Sequence, residues 1–154
     1  PETPNMTFFC CQQHAPEHFW KPEYQIHSNT AYALQEIIIL ANNPLSSLSF
    51  FQKTHGPGSI AHDGEDLSIK LHNGLISLLT PTSFEKRFGP GTSKKTKTPK
   101  FAGFQISVSN IIDTKVTLRN AGLETREFNK RIQLGPHDNF DTIIEFVERD
   151  LGHA

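Results

Sequence analysis

A repeat of about 67 residues constrains the fold of this chain more than any other feature of its sequence. Asn43 and Asn110, which are both suited to cap a helix, lie 67 positions apart, and the helix-closing glycines Gly56 and Gly122 lie 66 apart. The offset holds through strand, helix and closing strand, although few residues are identical between the halves. The sequence therefore predicts two tandem copies of one supersecondary unit.

The first copy is predicted over residues 32–88. A β-branched segment at 34–41 favours a strand, and apolar residues at helical spacing after Pro44 predict a helix that ends at Gly56. Three short strands follow, and the Asn73-Gly74 step favours a tight hairpin between the last two. Their predicted ranges are 59–62, 67–71 and 75–79.

The second copy is predicted over residues 101–150, after an exposed linker at 89–100 that is rich in Gly, Pro and Lys. It has a strand, a helix that begins after Asn110 and ends at Gly122, and three more strands. The predicted strands span 101–109, 124–128, 131–134 and 142–147. The order in both copies is β-α-β-β-β, so the chain is predicted to be an α+β protein.

Residues 1–30 differ from the rest of the chain. A strand is predicted at 7–11, followed by an irregular arm dense in aromatic residues and prolines. Cys10 and Cys11 are adjacent, and a vicinal disulfide is strained, so we expect two reduced thiols. Reduced thiols, together with the absence of a visible secretory signal, favour a cytoplasmic location.

The length of 154 residues suits one domain, and a net charge of -1 gives no general reason to expect nucleic acid as a partner. No apolar run approaches the roughly 20 residues that a membrane-spanning helix needs. The chain begins at Pro1, which favours its being part of a longer polypeptide. A homodimer or an upstream module of that polypeptide is the expected protein partner.

A single β-α-β-β-β unit covers one face of its sheet with a helix and leaves the other face open. Two such units that join their sheets edge to edge would form one curved mixed sheet around a pocket. Pockets of this kind are where small ligands bind. The expected partner is therefore a small molecule.

Three segments resemble the vicinal oxygen chelate superfamily, which includes glyoxalases, bleomycin-resistance proteins and dioxygenases. Residues 33–44 and 101–111 resemble the two opening strands, and residues 143–147 resemble the closing strand, where the superfamily often carries a Glu. The resemblance covers about residues 32–150. Residues 8–20 are similar to a segment in glyoxalase-like proteins that carry a further module.

Metal-dependent members of this superfamily take ligands from four places, and the resemblance maps these onto Glu36, Ser77, Gly103 and Glu145. Glycine offers no side chain and serine is a poor ligand for a divalent ion. We therefore expect no full metal site, although Glu36 and Glu145 could hold a divalent metal weakly. His14, beside Glu17, is a possible general base that needs no metal.

The first hypothesis is a glyoxalase-like domain that binds a small organic ligand without the usual metal set. Its alternatives are a metal-dependent lyase, isomerase or dioxygenase, and a non-catalytic module of a longer protein. Glu36, Glu145 and His14 are the candidate catalytic residues. A buried acid in the apolar strand around Glu36 would need a partner. The predicted ligand-binding residues are Trp20, Ser77, Gly103, Phe104, Phe140 and Phe146.

Overall fold

The computed structural model describes residues 6–9, 11–93, 96–136 and 139–149. Two β-α-β-β-β modules follow one another, as the repeat predicts. The first module contains β1 (Ala31–Leu40), a 3-10 turn (Pro44–Ser47), α1 (Leu48–His55), β2 (Ile60–Asp63), β3 (Asp66–Lys70) and β4 (Leu75–Leu79).

The second module starts at β5 and is preceded by a helix that the sequence analysis did not predict. That helix, α2, spans Pro81–Phe88 and lies between β4 and β5. The remaining elements are β5 (Lys100–Val108), α3 (Ile111–Asn120), β6 (Thr125–Phe128), β7 (Arg131–Leu134) and β8 (Ile143–Glu148).

All eight strands form one open mixed sheet in the order β2-β3-β4-β1-β5-β8-β7-β6. Within each module the opening strand pairs in parallel with the closing strand, β1 with β4 and β5 with β8. The modules join where β1 and β5 pair antiparallel, and the β1–β5 pairing contains three register shifts. The predicted α+β class and duplicated topology are confirmed.

Strand alternation gives the sheet two different faces. On one face α1 and α3 cover two apolar clusters, of which Ile39 and Phe51 belong to the first and Leu118 and Phe146 to the second. The opposite face, which we call the pocket face, carries polar residues at the middle of β1, β4, β5, β7 and β8. Among the buried polar side chains of the chain, Glu36, Ser77, Gln105, Gln133 and Glu145 lie there.

Helix α2 covers one end of the pocket face. It begins after Thr80, whose side chain accepts a hydrogen bond from the backbone N–H of Ser83 at 3.2 Å, and Pro81 occupies the first turn. Phe84 and Phe88 are buried against Ile38, Leu40, Ala102 and Ile143 from β1, β5 and β8. The packing of two aromatic rings onto both modules therefore fixes this short helix on the sheet.

The strand predicted at residues 7–11 is wrong for the residues that the structure describes there, which form no strand. Phe8 instead packs its ring on Phe50 and Phe51, with centroids 4.9 and 6.0 Å away, and Met6 is buried in the same cluster. The arm continues in two 3-10 turns, Pro16–His18 and Pro22–Tyr24. Side-chain packing, rather than strand pairing, attaches this segment. Cys10 lies outside the described residues, and Cys11 is a free thiol.

No helix in the described parts of the chain has the length and apolar character needed to cross a membrane.

Candidate functional site

The guanidinium of Arg87 lies between two buried carboxylates on the pocket face. Nη1 and Nη2 of Arg87 donate to the two oxygens of Glu36 at 2.9 and 2.8 Å, and Nη2 also donates to Oε2 of Glu145 at 2.6 Å. Glu36 is on β1, Glu145 is on β8, and Arg87 is in the last turn of α2. The planar guanidinium therefore forms a bidentate pair with one module and a second ion pair with the other. We call these three residues the arginine clamp.

Glu145 is fully buried and accepts hydrogen bonds at both of its oxygens. Oε2 accepts from Gln105 at 2.6 Å and from Arg131 at 3.2 Å, and Oε1 accepts from Gln133 at 2.9 Å. Burial alone would raise the pKa of the Glu145 carboxyl. The hydrogen bonds and the charge of Arg87, with the amides of Gln133 and Gln105, outweigh burial and hold this pKa below its ordinary value. Glu145 is therefore ionised at neutral pH.

Arg87 is correspondingly held in its charged form. Burial acts to lower the pKa of its guanidinium, but the hydrogen bonds and charges of Glu36 and Glu145 raise this pKa further than burial lowers it. Within the described residues, the Nε atom of Arg87 is buried and has no hydrogen-bond partner. An unmade bond of this kind costs about 1–3 kcal/mol. The two carboxylates therefore hold the side chain in place against a local cost.

The positions of these groups follow from strand register. Glu36 pairs with Gln105 across β1 and β5, and Gln105 pairs with Glu145 across β5 and β8. Residues opposite each other on neighbouring strands point to the same face, so these three side chains form a row. Gln133 extends the row into β7, where it pairs with Glu145.

A cavity of about 430 Å³ adjoins the clamp. Strands from both halves of the sheet contribute to its walls, so both modules share this cavity. It is lined by Gln35, Glu36, Asp63, Asp66, Ser68, Leu75, Ser77, Leu79, Arg87, Gln105, Arg131 and Arg149.

Solved structures share the fold of this chain. No protein-family model matches the chain, and no curated protein matches it. Among solved structures, methylmalonyl-CoA epimerase from Mycobacterium tuberculosis matches with a TM-score of 0.59 at 14% identity, covering 84% of this chain and 96% of that chain. The chain therefore has the fold of this epimerase structure, which is consistent with the glyoxalase-like fold that the sequence resemblance implies.

Two further structures with this fold carry ligands. A methylmalonyl-CoA epimerase in complex with methylmalonyl-CoA and NH4+ matches with a TM-score of 0.54 at 15% identity, over 77% of this chain and 94% of that chain. A Streptomyces coelicolor methylmalonyl-CoA epimerase variant in complex with 2-nitronate-propionyl-CoA has a TM-score of 0.52 at 16% identity, over 75% and 95%. At such identities the likeness concerns the fold.

The four residues that the sequence resemblance maps to a metal site do not fit a divalent ion. Two of the four places hold Ser77 and Gly103, and the carboxylates of the other two already bind Arg87. Across the described residues, no group of three or more His, Cys, Asp or Glu side chains is placed to share a metal ion. The positive charge at the centre of the site is supplied by arginine.

Gly103 holds the position in β5 that corresponds to Glu36 in β1, because Glu36 pairs with Leu75 and Gly103 with Ile143, but it does not line the cavity. It pairs with Ile38 and Ile143 beneath α2, and a Cβ at this position would lie 2.8 Å from the backbone oxygen of Ile143. Gln105, two residues later, is the β5 residue beside Glu36 and Glu145. The glycine serves close strand packing, while Ser77 does line the cavity as predicted.

None of the predicted aromatic residues lines the cavity. Phe146 is buried in the cluster under α3, and Phe104 pairs with Ile37 and Ile144 on that same face, so their predicted place in the pocket wall is wrong. Phe140 is fully exposed at a backbone φ of 51°. Trp20 is 66% exposed, and its indole Nε1 donates to Gln13 at 2.8 Å.

His14 is exposed on the arm and does not line the cavity, so the structure does not place it beside Glu36 or Glu145. Its neighbour Glu17 contacts His18 at 3.9 Å. The expectation that His14 enters the pocket is not met. Glu36 and Glu145 are the predicted catalytic residues that the structure brings together.

Sequence reasoning missed Arg87, Gln105, Gln133 and Arg131. The apolar strand around Glu36 indicated that this acid needs a partner, but no pattern identified Arg87, which lies 51 positions away. The Thr80-Pro81 step, with a capping hydroxyl before a first-turn proline, could have indicated α2.

A second cavity, of about 790 Å³, lies between α3 and the β6–β7 hairpin. It is larger, but most of its lining residues are surface side chains, and the buried ionisable groups of the clamp are absent from it. Arg131 lines both cavities. Because the buried charges converge at the smaller cavity, we take that cavity as the candidate site.

Proposed function

We propose that this chain is a glyoxalase-like domain that binds a small polar organic ligand in the cavity beside the arginine clamp, without a divalent metal. The observation that carries the proposal is the guanidinium of Arg87 between Glu36 and Glu145, at 2.6–2.9 Å from their oxygens. The guanidinium of Arg87, which stays positively charged, neutralises the two carboxylates that would otherwise attract a metal ion.

Two observations support a ligand-binding role. The cavity of about 430 Å³ lies within the usual size of small-molecule sites and carries hydroxyl, amide, carboxylate and guanidinium groups. Solved structures with this fold hold methylmalonyl-CoA and 2-nitronate-propionyl-CoA. We infer that the cavity remaining beside the clamp is where this chain takes its ligand.

The arginine clamp also limits the chemistry. Glu145 is ionised and accepts four hydrogen bonds, and both oxygens of Glu36 accept from Arg87, so a substrate proton would have to compete with these bonds. A metal-dependent lyase, isomerase or dioxygenase activity is disfavoured by the same contacts. The pocket is therefore better suited to binding than to proton transfer.

Metal titration tests the role of Arg87. Purified wild-type protein titrated with Mn²⁺ and observed by electron paramagnetic resonance should show no stoichiometric tight binding. Arg87→Ala should bind Mn²⁺ at least about tenfold more tightly than wild type, because the guanidinium no longer occupies Glu36 and the facing oxygen of Glu145. Adding Glu145→Gln to Arg87→Ala should abolish that gain.

Arg119→Ala, which changes an exposed arginine of α3, is the matched control and should leave the titration unchanged. If the wild-type protein binds Mn²⁺, Zn²⁺ or Ni²⁺ stoichiometrically and loses the ion in Glu145→Gln, the metal-dependent alternative is correct. That wild-type measurement decides the question even if Arg87→Ala does not fold.

A further inference from the structure

We propose that the ligand of this cavity is a zwitterion whose positive and negative groups are several bonds apart, as in a short peptide. The inference rests on the proposed function, because it names the ligand class of the same cavity. It follows from the distribution of charge over the cavity walls. The charged lining residues outside the arginine clamp are two aspartates, Asp63 and Asp66, and two arginines, Arg131 and Arg149.

The acidic wall lies at the β2–β3 hairpin. Asp63 and Asp66 are paired residues on either side of that turn. Oδ1 of Asp66 accepts the backbone N–H of Thr80 at 2.8 Å, which fixes this carboxylate at the start of α2, while Asp63 is exposed. None of the cationic lining residues comes from this hairpin, because they belong to α2, β7 and the chain after β8. This wall therefore presents negative charge suited to an ammonium group.

The basic wall belongs to the other half of the sheet. Arg131 begins β7 and donates to Glu145 at 3.2 Å, and Arg149 directly follows β8. The backbone of Arg149 is held by its N–H to Val108 at 3.0 Å and by its carbonyl, which accepts the Tyr32 hydroxyl at 3.4 Å. The guanidinium of Arg149, together with the N–H groups of Arg131 that Glu145 does not bind, suits a carboxylate.

The order of the strands sets the spacing of these walls. β3 and β8 are four strand spacings apart in the sheet, which corresponds to roughly 19 Å in a flat sheet with strands about 4.8 Å apart. The length of the arginine side chains shortens the gap that a ligand has to span. A free amino acid carries both charges on one carbon and cannot reach both walls, whereas a short peptide can.

The floor between the walls combines polar groups with the apolar side chains of Leu75 and Leu79. Ser68 and Ser77 are paired neighbours on β3 and β4, and both line the cavity. Gln35 also lines it, and its Oε1 accepts the Ser107 hydroxyl at 3.5 Å. Hydroxyl and amide groups of this kind can bind the N–H and C=O groups of a peptide backbone.

The test uses trialanine as the probe. N-acetyl-trialanine lacks its positive charge, trialanine amide lacks its negative charge, and alanine carries both charges without the distance between them. Binding is measured by titration of ¹⁵N-labelled full chain, with amide resonances of β3, β4 and β8 as the readout. We expect trialanine to bind at least about tenfold more tightly than each counterpart, a difference of about 1.4 kcal/mol.

Each wall is then tested by a substitution of one exposed residue. Asp63→Asn should remove the preference for trialanine over its N-acetyl form but keep the preference over the amide. Arg149→Gln should do the reverse. Asp113→Asn and Arg119→Gln, both on the exposed side of α3, are the matched controls and should change neither preference.

The possible failures are distinguishable. If uncharged or singly charged fragments perturb the pocket resonances as strongly as trialanine does, or if the two wall variants leave both preferences intact, the zwitterion proposal is wrong and the ligand-binding function stands. If neither these peptides nor a fragment library of all charge types perturbs any pocket resonance of the wild-type protein, the proposed function fails with it.

Discussion

Arg87 shows how a single side chain can neutralise two buried acids. Moving charges out of water is costly, so a buried pair adds little net stability, while removal of one partner typically costs about 3–5 kcal/mol. Lysine would not be equivalent, since only the planar guanidinium reaches both oxygens of Glu36 and still contacts Glu145. Loss of any one residue of the arginine clamp therefore leaves a buried charge without its partner.

Glu145 makes folding stability depend on pH. Its pKa is lower in the folded protein than the value of about 4.3 expected in the unfolded chain. The carboxylate therefore contributes stability that is complete above about pH 4.3 and is lost as the pH falls through the folded-state pKa. We expect Glu145→Gln to be clearly less stable than wild type at pH 7, and the difference to narrow at acidic pH.

Urea unfolding of both proteins between pH 3 and pH 7 measures this effect. Glu124→Gln, which changes an exposed acid, is the control and should follow the wild-type curve. A constant stability difference between Glu145→Gln and wild type across the whole pH range would show that the carboxylate charge is not the cause.

At the scale of elements, α2 determines what the pocket face can do. Its eight residues carry Phe84 and Phe88 into the apolar end of that face and Arg87 into the polar part. At its C-terminus, Nη1 of Arg126 donates to the carbonyl of Phe88 at 2.7 Å, which satisfies one of the last carbonyls of the helix. A helix this short is stable because of its packing and its caps.

Loss of the cap should therefore loosen the site. We expect Thr80→Ala to cost about 1 kcal/mol of unfolding free energy, because the backbone N–H of Ser83 loses its acceptor. Thr82→Ala, an exposed neighbour in the same helix, should cost less than about 0.5 kcal/mol. Chemical denaturation of both variants gives the comparison, and equal losses would mean that the cap does not stabilise α2.

At the scale of the whole molecule, the two modules share their structure in three ways. β1 of the first module pairs with β5 of the second, α2 packs on strands of both modules, and Arg87 from the first half binds Glu145 from the second. Neither module covers its pocket face alone. The duplication therefore produces one cooperative unit.

We expect both modules to unfold together. In a urea titration followed by NMR, amide signals of β4 and β8 should disappear with the same midpoint, because the shared sheet and clamp are lost at once. A lower midpoint for one module would show that the other is stable by itself.

Much of the fold could be predicted because local sequence patterns determine it. The 67-residue offset, the β-branched segments and the Asn73-Gly74 turn predicted strands that match the structure to within about three residues. Asn110 caps α3 by accepting the N–H groups of Ile112 and Asp113, as expected of that residue type. These features depend on neighbours in the chain, so the sequence by itself determines them.

Tertiary structure alone decided how the site is built. Gln105 rather than Gly103 stands beside Glu36 because β1 and β5 pair antiparallel in a register that places Ile38 opposite Gly103, and the repeat within each strand does not determine that register. Arg87 reaches carboxylates 51 and 58 positions away, through a helix whose place depends on both modules. Contacts at such separations arise from the packing of the completed sheet, so local sequence patterns do not contain them.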